Sequence, residues 1–216
     1  MALSEWQTRT LWGGVYAVAL IFFAWYSALS FLLFSLVGAF YIQREVRALA
    51  LPGPMRWSIV LYAIVGMYLG HQLGLDSITK EWHYERVLVP LLFIWTSDSF
   101  AYLGGKWWGK TPLAPRISPK KTREGALVGF LCTLLVAVGI SRLWPNWSAQ
   151  IPTLIAGMAI AFAAPAGDLV QSYWKRRAGV KDSGIFLPGH GGWFDRLDSY
   201  LLVAWVLGLL RMIYSL

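Results

Sequence analysis

The chain consists of long apolar runs separated by short polar segments. Residues 11–42 carry no charge over 32 positions, whereas one upright membrane helix needs only about 20 residues. We therefore predict two helices in this run, with a break between Trp25 and Ser30. The other apolar runs predict five more membrane helices, at residues 57–74, 86–104, 125–143, 151–174 and 198–214.

Composition supports a protein that lies within lipid. Hydrophobic residues make up 57% of the chain and charged residues 14%, against about 25% charged residues in soluble domains. The predicted fold class is therefore all-α: a polytopic integral membrane protein of about seven transmembrane helices, with residues 1–216 forming a single membrane domain. The net charge of +8 lies in loops beside the spans, so we predict no nucleic-acid partner.

The distribution of basic residues predicts the orientation. With the N-terminus in the cytoplasm, 15 of the 19 lysines and arginines fall on the cytoplasmic side, as the positive-inside rule requires. The predicted location is the cell membrane. The two longest polar segments, residues 104–124 and 175–198, then both face the cytoplasm and can form one site. Tryptophans near the ends of the spans, Trp193 among them, are expected at the membrane interface.

Four carboxylates are predicted near that cytoplasmic face. Asp98 and Asp168 each lie six residues before the end of a span, about 9 Å deep by helical rise. Asp195 and Asp198 lie three residues apart at the start of the last span. Such a group of oxygen ligands suits Mg²⁺ and predicts phosphoryl or nucleotidyl transfer. The alternatives are structural: a bonded buried carboxylate, or favourable charges at a helix N-terminus.

Cations and glycines surround these carboxylates in the sequence. Asp168, Ser172 and Lys175 share one helix face, and the glycines around His190 allow the backbone to approach phosphate oxygens. The basic segment 104–124 either binds phosphates or simply follows topology and attracts anionic lipid. Its cations are Lys106, Lys110, Arg116, Lys120, Lys121 and Arg123.

These motifs resemble those of the phosphatidate cytidylyltransferases, also called CDP-diglyceride synthases. The family's C-terminal signature is matched by Ser172, Lys175, Arg176, Lys181, Asp182, Gly184, Pro188, His190, Gly191, Gly192, Asp195, Arg196 and Asp198. Two further blocks are similar, one running from Asp98 through Ser118 to Gly125 and one at Gly167 and Asp168. The resemblance covers residues 93–205. Members of the family are commonly longer, so the N-terminal spans in residues 1–92 are fewer than usual.

The resemblance implies transfer of a cytidylyl group from CTP to phosphatidate, which gives CDP-diacylglycerol and pyrophosphate for phospholipid synthesis. It implies Mg²⁺, with a second monovalent cation such as K⁺ left open. The metal ligands it implies are Asp98, Asp168, Asp195 and Asp198. The catalytic residues are Asp168, Asp195, Asp198, Lys175 and His190. The substrate-binding residues are Lys106, Arg116, Ser118, Lys120, Lys121, Arg123, Ser172, Arg176, Lys181, Asp182, Gly191, Gly192 and Arg196.

Two alternatives to this function remain at the level of the sequence. One is a related lipid-linked transferase that uses another lipid phosphate or a polyprenol as acceptor. The other is a membrane transporter or scaffold without enzymatic activity, although no inverted pair of glycine-interrupted spans supports a transporter. The expected partners are CTP, phosphatidate and membrane lipid, and a homodimer is left open.

Overall fold

The structure, a computed structural model, describes residues 5–144, 147, 151–186 and 191–214. Within these residues the chain forms eight helices and one two-stranded hairpin. The helices are α1 (Glu5–Tyr26), α2 (Ala28–Ala48), α3 (Gly53–Gly74), α4 (Glu85–Trp108), α5 (Arg123–Leu143), α6 (Thr153–Arg177), α7 (Trp193–Arg196) and α8 (Asp198–Tyr214). The strands are β1 (Pro112–Ala114) and β2 (Ser118–Thr122).

The predicted break in the first apolar run is confirmed at Ser27. The Ser27 hydroxyl accepts a hydrogen bond from the Ser30 amide at 3.1 Å, and the Ser30 hydroxyl accepts one from the Ser27 amide at 3.0 Å. This capping box ends α1 and starts α2 without any charged residue. The seven long helices correspond to the seven predicted apolar runs.

Four of the described helices are long and apolar enough to cross a membrane: α2, α4, α5 and α6. In α1 the apolar part is the shorter stretch Thr10–Tyr26. These helices agree with the predicted all-α membrane fold, whereas the count of seven spans stays a prediction.

The helices pack through small residues and a few large apolar side chains. A Cβ atom at Gly129 of α5 would lie 2.5 Å from the Ser97 carbonyl oxygen of α4, so glycine is needed for this close approach. Phe93 and Ile160 are fully buried in one cluster, and Phe194 and Leu201 are fully buried in another. The second cluster holds α7 against α2, α3 and α8.

The segment between α4 and α5 contains the hairpin, where the sequence predicted only a polar loop. Pro112 pairs with Thr122, and Ala114 pairs with Ser118, in antiparallel register. The Glu124 carboxylate accepts hydrogen bonds from the Lys110 and Thr111 amides, which ties the hairpin to the start of α5. The hairpin therefore presents its basic side chains from a defined position.

Candidate active site

A cavity of about 630 Å³ lies beside the hairpin at the end of the helix bundle where α4 and α6 finish and α5 begins. Its apolar lining comes from side chains such as Leu113, Ala126 and Pro165. Its charged lining is formed by Asp98, Lys106, Lys120, Lys121 and Asp168. All five were singled out in the sequence, and the fold brings them to one cavity.

Contacts between the hairpin and α6 join the two polar segments. The Lys121 ammonium forms an ion pair with the Asp168 carboxylate, and both side chains are about one quarter exposed. The Arg176 guanidinium donates to the Ile117 carbonyl at 3.3 Å. The two segments that were predicted to share a face of the membrane are therefore adjacent in the structure.

The predicted polar face of α6 divides between two environments. The Ser172 hydroxyl donates to Asp168 at 3.1 Å and so contacts a residue that lines the cavity, although Ser172 itself does not line it. Lys175 lies one turn further along the helix but is buried and donates to Asp195 at 2.7 Å. It lines neither the cavity described above nor the smaller one described below.

Asp195 is surrounded by donors from the protein. Besides Lys175, it accepts hydrogen bonds from the Ser183 amide at 2.8 Å, the Ser183 hydroxyl at 2.9 Å and the Gly192 amide at 2.9 Å. Burial opposes ionisation of this carboxyl, but Lys175 and the backbone donors hold the pKa of Asp195 below its usual range. Its role as a metal ligand, expected from the resemblance, stays a prediction.

Glu45 of α2 is a site residue that the sequence analysis missed. Its buried carboxylate accepts hydrogen bonds from the Trp193 amide at 2.9 Å and the Phe194 amide at 3.0 Å. It also lies 2.9 Å from the Ser183 hydroxyl, whose single hydrogen it shares with Asp195. It thereby binds the start of α7 and the segment before the glycines. The only signal in the sequence is a single acid between Arg44 and Arg47, which resembles an ordinary solvated position.

Two glycines of the signature are required for different structural reasons. Gly191 has a φ of +77°, a conformation that favours glycine. A Cβ atom on Gly192 would collide with the Glu45 carboxylate. Both glycines therefore shape the segment that carries Asp195. His190, the catalytic residue expected beside them, lies outside the described residues.

Asp98 and Asp198 face a second, smaller cavity of about 260 Å³. Asp198 accepts a hydrogen bond from the Ser199 amide at 2.8 Å at the start of α8. The Ser199 hydroxyl lies 3.5 Å from Asp98. Asp98 lines both cavities, which makes it the carboxylate that connects them.

Several predicted substrate-binding residues lie outside both cavities. Arg176 lies at the end of α6 and is exposed apart from its backbone contacts. Ser118 is half-buried in β2. Four more are exposed: Arg116, Arg123, Lys181 and Asp182. Ser172, Gly191 and Gly192, described above, also line neither cavity. Arg196 lines the smaller cavity instead.

The fit of a divalent cation depends on Asp98 and Asp168. Among the residues that the structure describes, no three His, Cys, Asp or Glu side chains are grouped so that they could hold a metal ion. Mg²⁺, however, is commonly bound by one or two carboxylates and completed by water and phosphate oxygens. Two carboxylates on one cavity fit such a site, whereas a cluster of four carboxylates is not found among the described residues.

Comparison with known proteins identifies the family of this chain. The model of the Cytidylyltransferase family matches residues 15–214. A phosphatidate cytidylyltransferase of Rickettsia felis is 36% identical over 193 residues, which cover 85% of this chain and 82% of the relative. The protein of the same name from Helicobacter pylori is 35% identical over 227 residues, covering 94% and 81%. One from Synechocystis is 50% identical over 113 residues, covering 51% and 38%. The chain belongs to the cytidylyltransferase family.

Proposed function

We propose that this protein transfers a cytidylyl group from CTP to phosphatidate and releases pyrophosphate. The observation that carries the proposal is the larger cavity, where three lysines and two aspartates of a cytidylyltransferase meet beside membrane helices. The relatives' names support phosphatidate as the acceptor.

The reaction needs alignment and charge neutralisation rather than a covalent intermediate. An oxygen of the lipid phosphate attacks the α-phosphorus of CTP, while the bond from that phosphorus to the bridging oxygen breaks. Pyrophosphate leaves with the bonding electron pair. Both reactants are anions, so the chief task of the protein is to hold them together and neutralise their charge.

The three lysines are suited to the triphosphate. Lys106, Lys120 and Lys121 line the larger cavity, and each can donate to phosphate oxygens. We expect Lys121 to exchange its contact with Asp168 for the triphosphate when CTP binds. Asp168 is then available, together with Asp98, to hold Mg²⁺. Bound there, Mg²⁺ supplies positive charge against the phosphates.

Buried residues outside the larger cavity hold the helices around this site together. Lys175 of α6 donates to Asp195 of α7, and Glu45 of α2 accepts hydrogen bonds from the start of α7. These contacts fix the positions of α6, α7 and α2 relative to one another. We therefore assign these residues to positioning the site. A dedicated general base is not needed because the lipid phosphate is already ionised at neutral pH.

The sidedness of the site belongs to the proposal. We infer that the hairpin end faces the cytoplasm, because most lysines and arginines lie there. Single cysteines at Lys110 and Ile185 should react with an impermeant thiol reagent only from the cytoplasmic side. A cysteine at Ile78, which lies 89% exposed between α3 and α4, should react only from outside. Opposite labelling of Lys110 and Ile185 would refute a shared cytoplasmic site.

The experiment that tests the function is an acceptor panel. The purified protein in mixed micelles with Mg²⁺ is supplied with labelled CTP and one acceptor at a time: phosphatidate, an ether-lipid phosphate or a polyprenyl phosphate. We expect labelled lipid and stoichiometric pyrophosphate with phosphatidate. Preference for another acceptor would contradict the assignment of phosphatidate, and no pyrophosphate with any acceptor would overturn the proposed function.

A further inference from the structure

Three arginines form a cluster where α2 ends and α3 begins. Arg44 and Arg47 lie three residues apart on α2, so they share one helix face, and both are exposed. Arg56 lies in the first turn of α3, and its guanidinium donates to the Arg47 carbonyl at 3.2 Å. We call these three residues the arginine surface. It lines neither of the two cavities described above.

The guanidinium groups of α2 are held by contacts that leave their charge uncompensated. The guanidinium of Arg47 lies over the Trp57 ring, 5.5 Å from its centroid, and that of Arg44 lies over the Phe40 ring at 5.9 Å. Among the residues that the structure describes, no carboxylate forms an ion pair with the arginine surface. The positive-inside rule requires basic residues at this end but not their fixed arrangement. Fixed, uncompensated cations are suited to an anionic ligand.

The arginine surface lies at the end of the bundle that carries the proposed active site. Glu45, next to Arg44 in the chain, contacts the start of α7, and Asp195 of α7 contacts Lys175 near the end of α6. The ends of α2 and α6 therefore meet at α7. Trp57 is exposed beside the arginines, as is typical of an indole at the membrane interface.

Exposed apolar side chains adjoin the arginine surface on both helices. Phe40 lies one turn before Arg44 on α2 and is 55% exposed. Leu61 lies one turn after Trp57 on α3 and is 63% exposed. Both lie closer to the middle of their helices than the arginines do. The order from cations to apolar side chains matches the order from head group to acyl chains in a phospholipid.

We propose that the arginine surface binds the head group of an anionic phospholipid of the surrounding bilayer. A guanidinium can donate two parallel hydrogen bonds to phosphate oxygens, and basic clusters beside membrane helices attract anionic lipids. The adjoining apolar side chains favour a lipid over a soluble anion, because they contact acyl chains. This inference goes beyond the proposed function, since the lipid bound here is a partner of the protein and not its substrate.

The test measures lipid selectivity next to the arginine surface. In a Cys132→Ser background, a cysteine at the exposed Ser58 carries a fluorescent donor, and the protein is placed in bilayers of phosphatidylcholine. Energy transfer is measured to trace phosphatidylglycerol or trace phosphatidylcholine, each with an acceptor on one acyl chain. Phosphatidylglycerol is anionic but lacks a phosphate monoester, so it is not an acceptor in the proposed reaction. No CTP is present.

Two double variants with equal loss of charge are compared. Arg47→Gln/Arg56→Gln removes two cations of the arginine surface. Lys110→Gln/Arg123→Gln is the control, because it removes two exposed cations near the hairpin that line neither cavity. Melting temperatures confirm that each variant is folded, and Arg47→Gln alone replaces the first variant if that variant is unstable.

The unmutated protein should prefer phosphatidylglycerol to phosphatidylcholine, and high salt should weaken this preference. A basic residue near an anionic surface supports an expected loss of about fivefold or more in the preference of Arg47→Gln/Arg56→Gln. The control should keep the preference. Unlabelled phosphatidylglycerol should also raise the melting temperature of the control more than that of Arg47→Gln/Arg56→Gln, because a bound ligand stabilises the folded state.

No preference in the unmutated protein, or an unchanged preference in folded Arg47→Gln/Arg56→Gln, would overturn the inference. An equal loss in the control would also overturn it, because it would show a general attraction to basic residues. Stabilisation by inorganic phosphate in a neutral bilayer, as large as that by phosphatidylglycerol, would assign the surface to a soluble anion instead. Failure of the proposed function would leave all these readouts unchanged, since none of them uses CTP.

Discussion

Two lysine–aspartate pairs involve the same helix, α6, and differ in their surroundings. In the pair of Lys121 and Asp168, both side chains are about one quarter exposed and border the larger cavity. In the pair of Lys175 and Asp195, the side chains are 10% and 5% exposed, and Asp195 has three further hydrogen bonds from Ser183 and Gly192. The first pair is accessible to a ligand, and the second is enclosed by protein.

We propose that the accessible pair contacts the substrates and that the buried pair supports the site. An accessible pair can exchange partners, because a triphosphate and a cation can replace each side of it. A buried pair cannot lose one member without leaving an uncompensated charge in a low-dielectric environment. The sequence motifs contain members of both pairs, and among the described residues the first pair lines the larger cavity.

Removing the cation of the buried pair should have the largest effect on stability. Lys175→Met leaves the Asp195 charge unpaired, so we expect the free energy of unfolding to fall by about 3–5 kcal/mol. The control Lys121→Met removes a partly exposed cation and should cost less than about 1 kcal/mol. Denaturation in detergent measures both. Adding Asp195→Asn to Lys175→Met should recover part of the loss, and equal destabilisation by the two lysine variants would contradict the comparison.

Neutralising the accessible carboxylate should affect activity instead. Asp168→Asn is nearly isosteric but provides a poorer ligand for Mg²⁺, so we expect pyrophosphate release to fall by about 10²-fold or more, equivalent to about 2.7 kcal/mol. Its melting temperature should stay close to that of the unmutated protein. Initial rates over a range of Mg²⁺ concentrations check this result. Full activity with an unchanged Mg²⁺ requirement would exclude Asp168 as a ligand.

Glu45 should behave like the buried pair. In Glu45→Gln the side-chain NH₂ cannot accept the hydrogen bonds that one carboxylate oxygen now receives, so at least one buried donor loses its partner. We expect a loss of about 1–3 kcal/mol in the free energy of unfolding. Glu81→Gln, at an exposed position between α3 and α4, is the control and should be nearly neutral. A Glu45→Gln variant as stable as this control would refute the supporting role.

Acid should weaken the buried pair with a predictable sign. The pKa of Asp195 lies below its usual range in the folded protein, so its ionised form contributes stability above the unfolded pKa of about 3.9. That contribution is lost as the pH falls below about 4 and through the folded pKa. Stability measured from neutral to acidic pH in detergent should show this loss, and Asp195→Asn should lack it. The same acid dependence in Asp195→Asn would assign the effect to another group.

The sequence predicted the helices well because their signal is local. An apolar run of about 20 residues identifies a helix in lipid regardless of its neighbours. The break near Ser27 was predicted from the length of the uncharged run alone, and its capping box is equally local. The hairpin was missed because its strands have three and five residues with no alternating apolar pattern.

Contacts between distant segments could not be predicted in this way. Glu45 lies 148 residues before Trp193, and nothing near Glu45 in the sequence indicates that the start of α7 packs against it. Trp193 was expected at the membrane interface, but it is buried at 5% exposure among aromatic rings that include Phe34 and Tyr41. The periodicity of α6 shows which side chains share a face with Lys175, and from this we predicted that Lys175 faces a phosphate. Its contact with Asp195, 20 residues further along the chain, depends on tertiary packing, which a local pattern does not reveal.

The most direct test of the central claim asks whether CTP occupies the cavity beside the Lys121–Asp168 pair. Leu113 lines that cavity, and the chain has one native cysteine, Cys132. In a Cys132→Ser background, a cysteine at Leu113 is labelled with a thiol reagent in the presence and absence of CTP and Mg²⁺. A cysteine at Ile185, 94% exposed and outside both cavities, is the control. CTP should slow labelling at Leu113 and leave Ile185 unchanged. Labelling at Leu113 that is unaffected by CTP, in protein that releases pyrophosphate, would contradict this location of the active site.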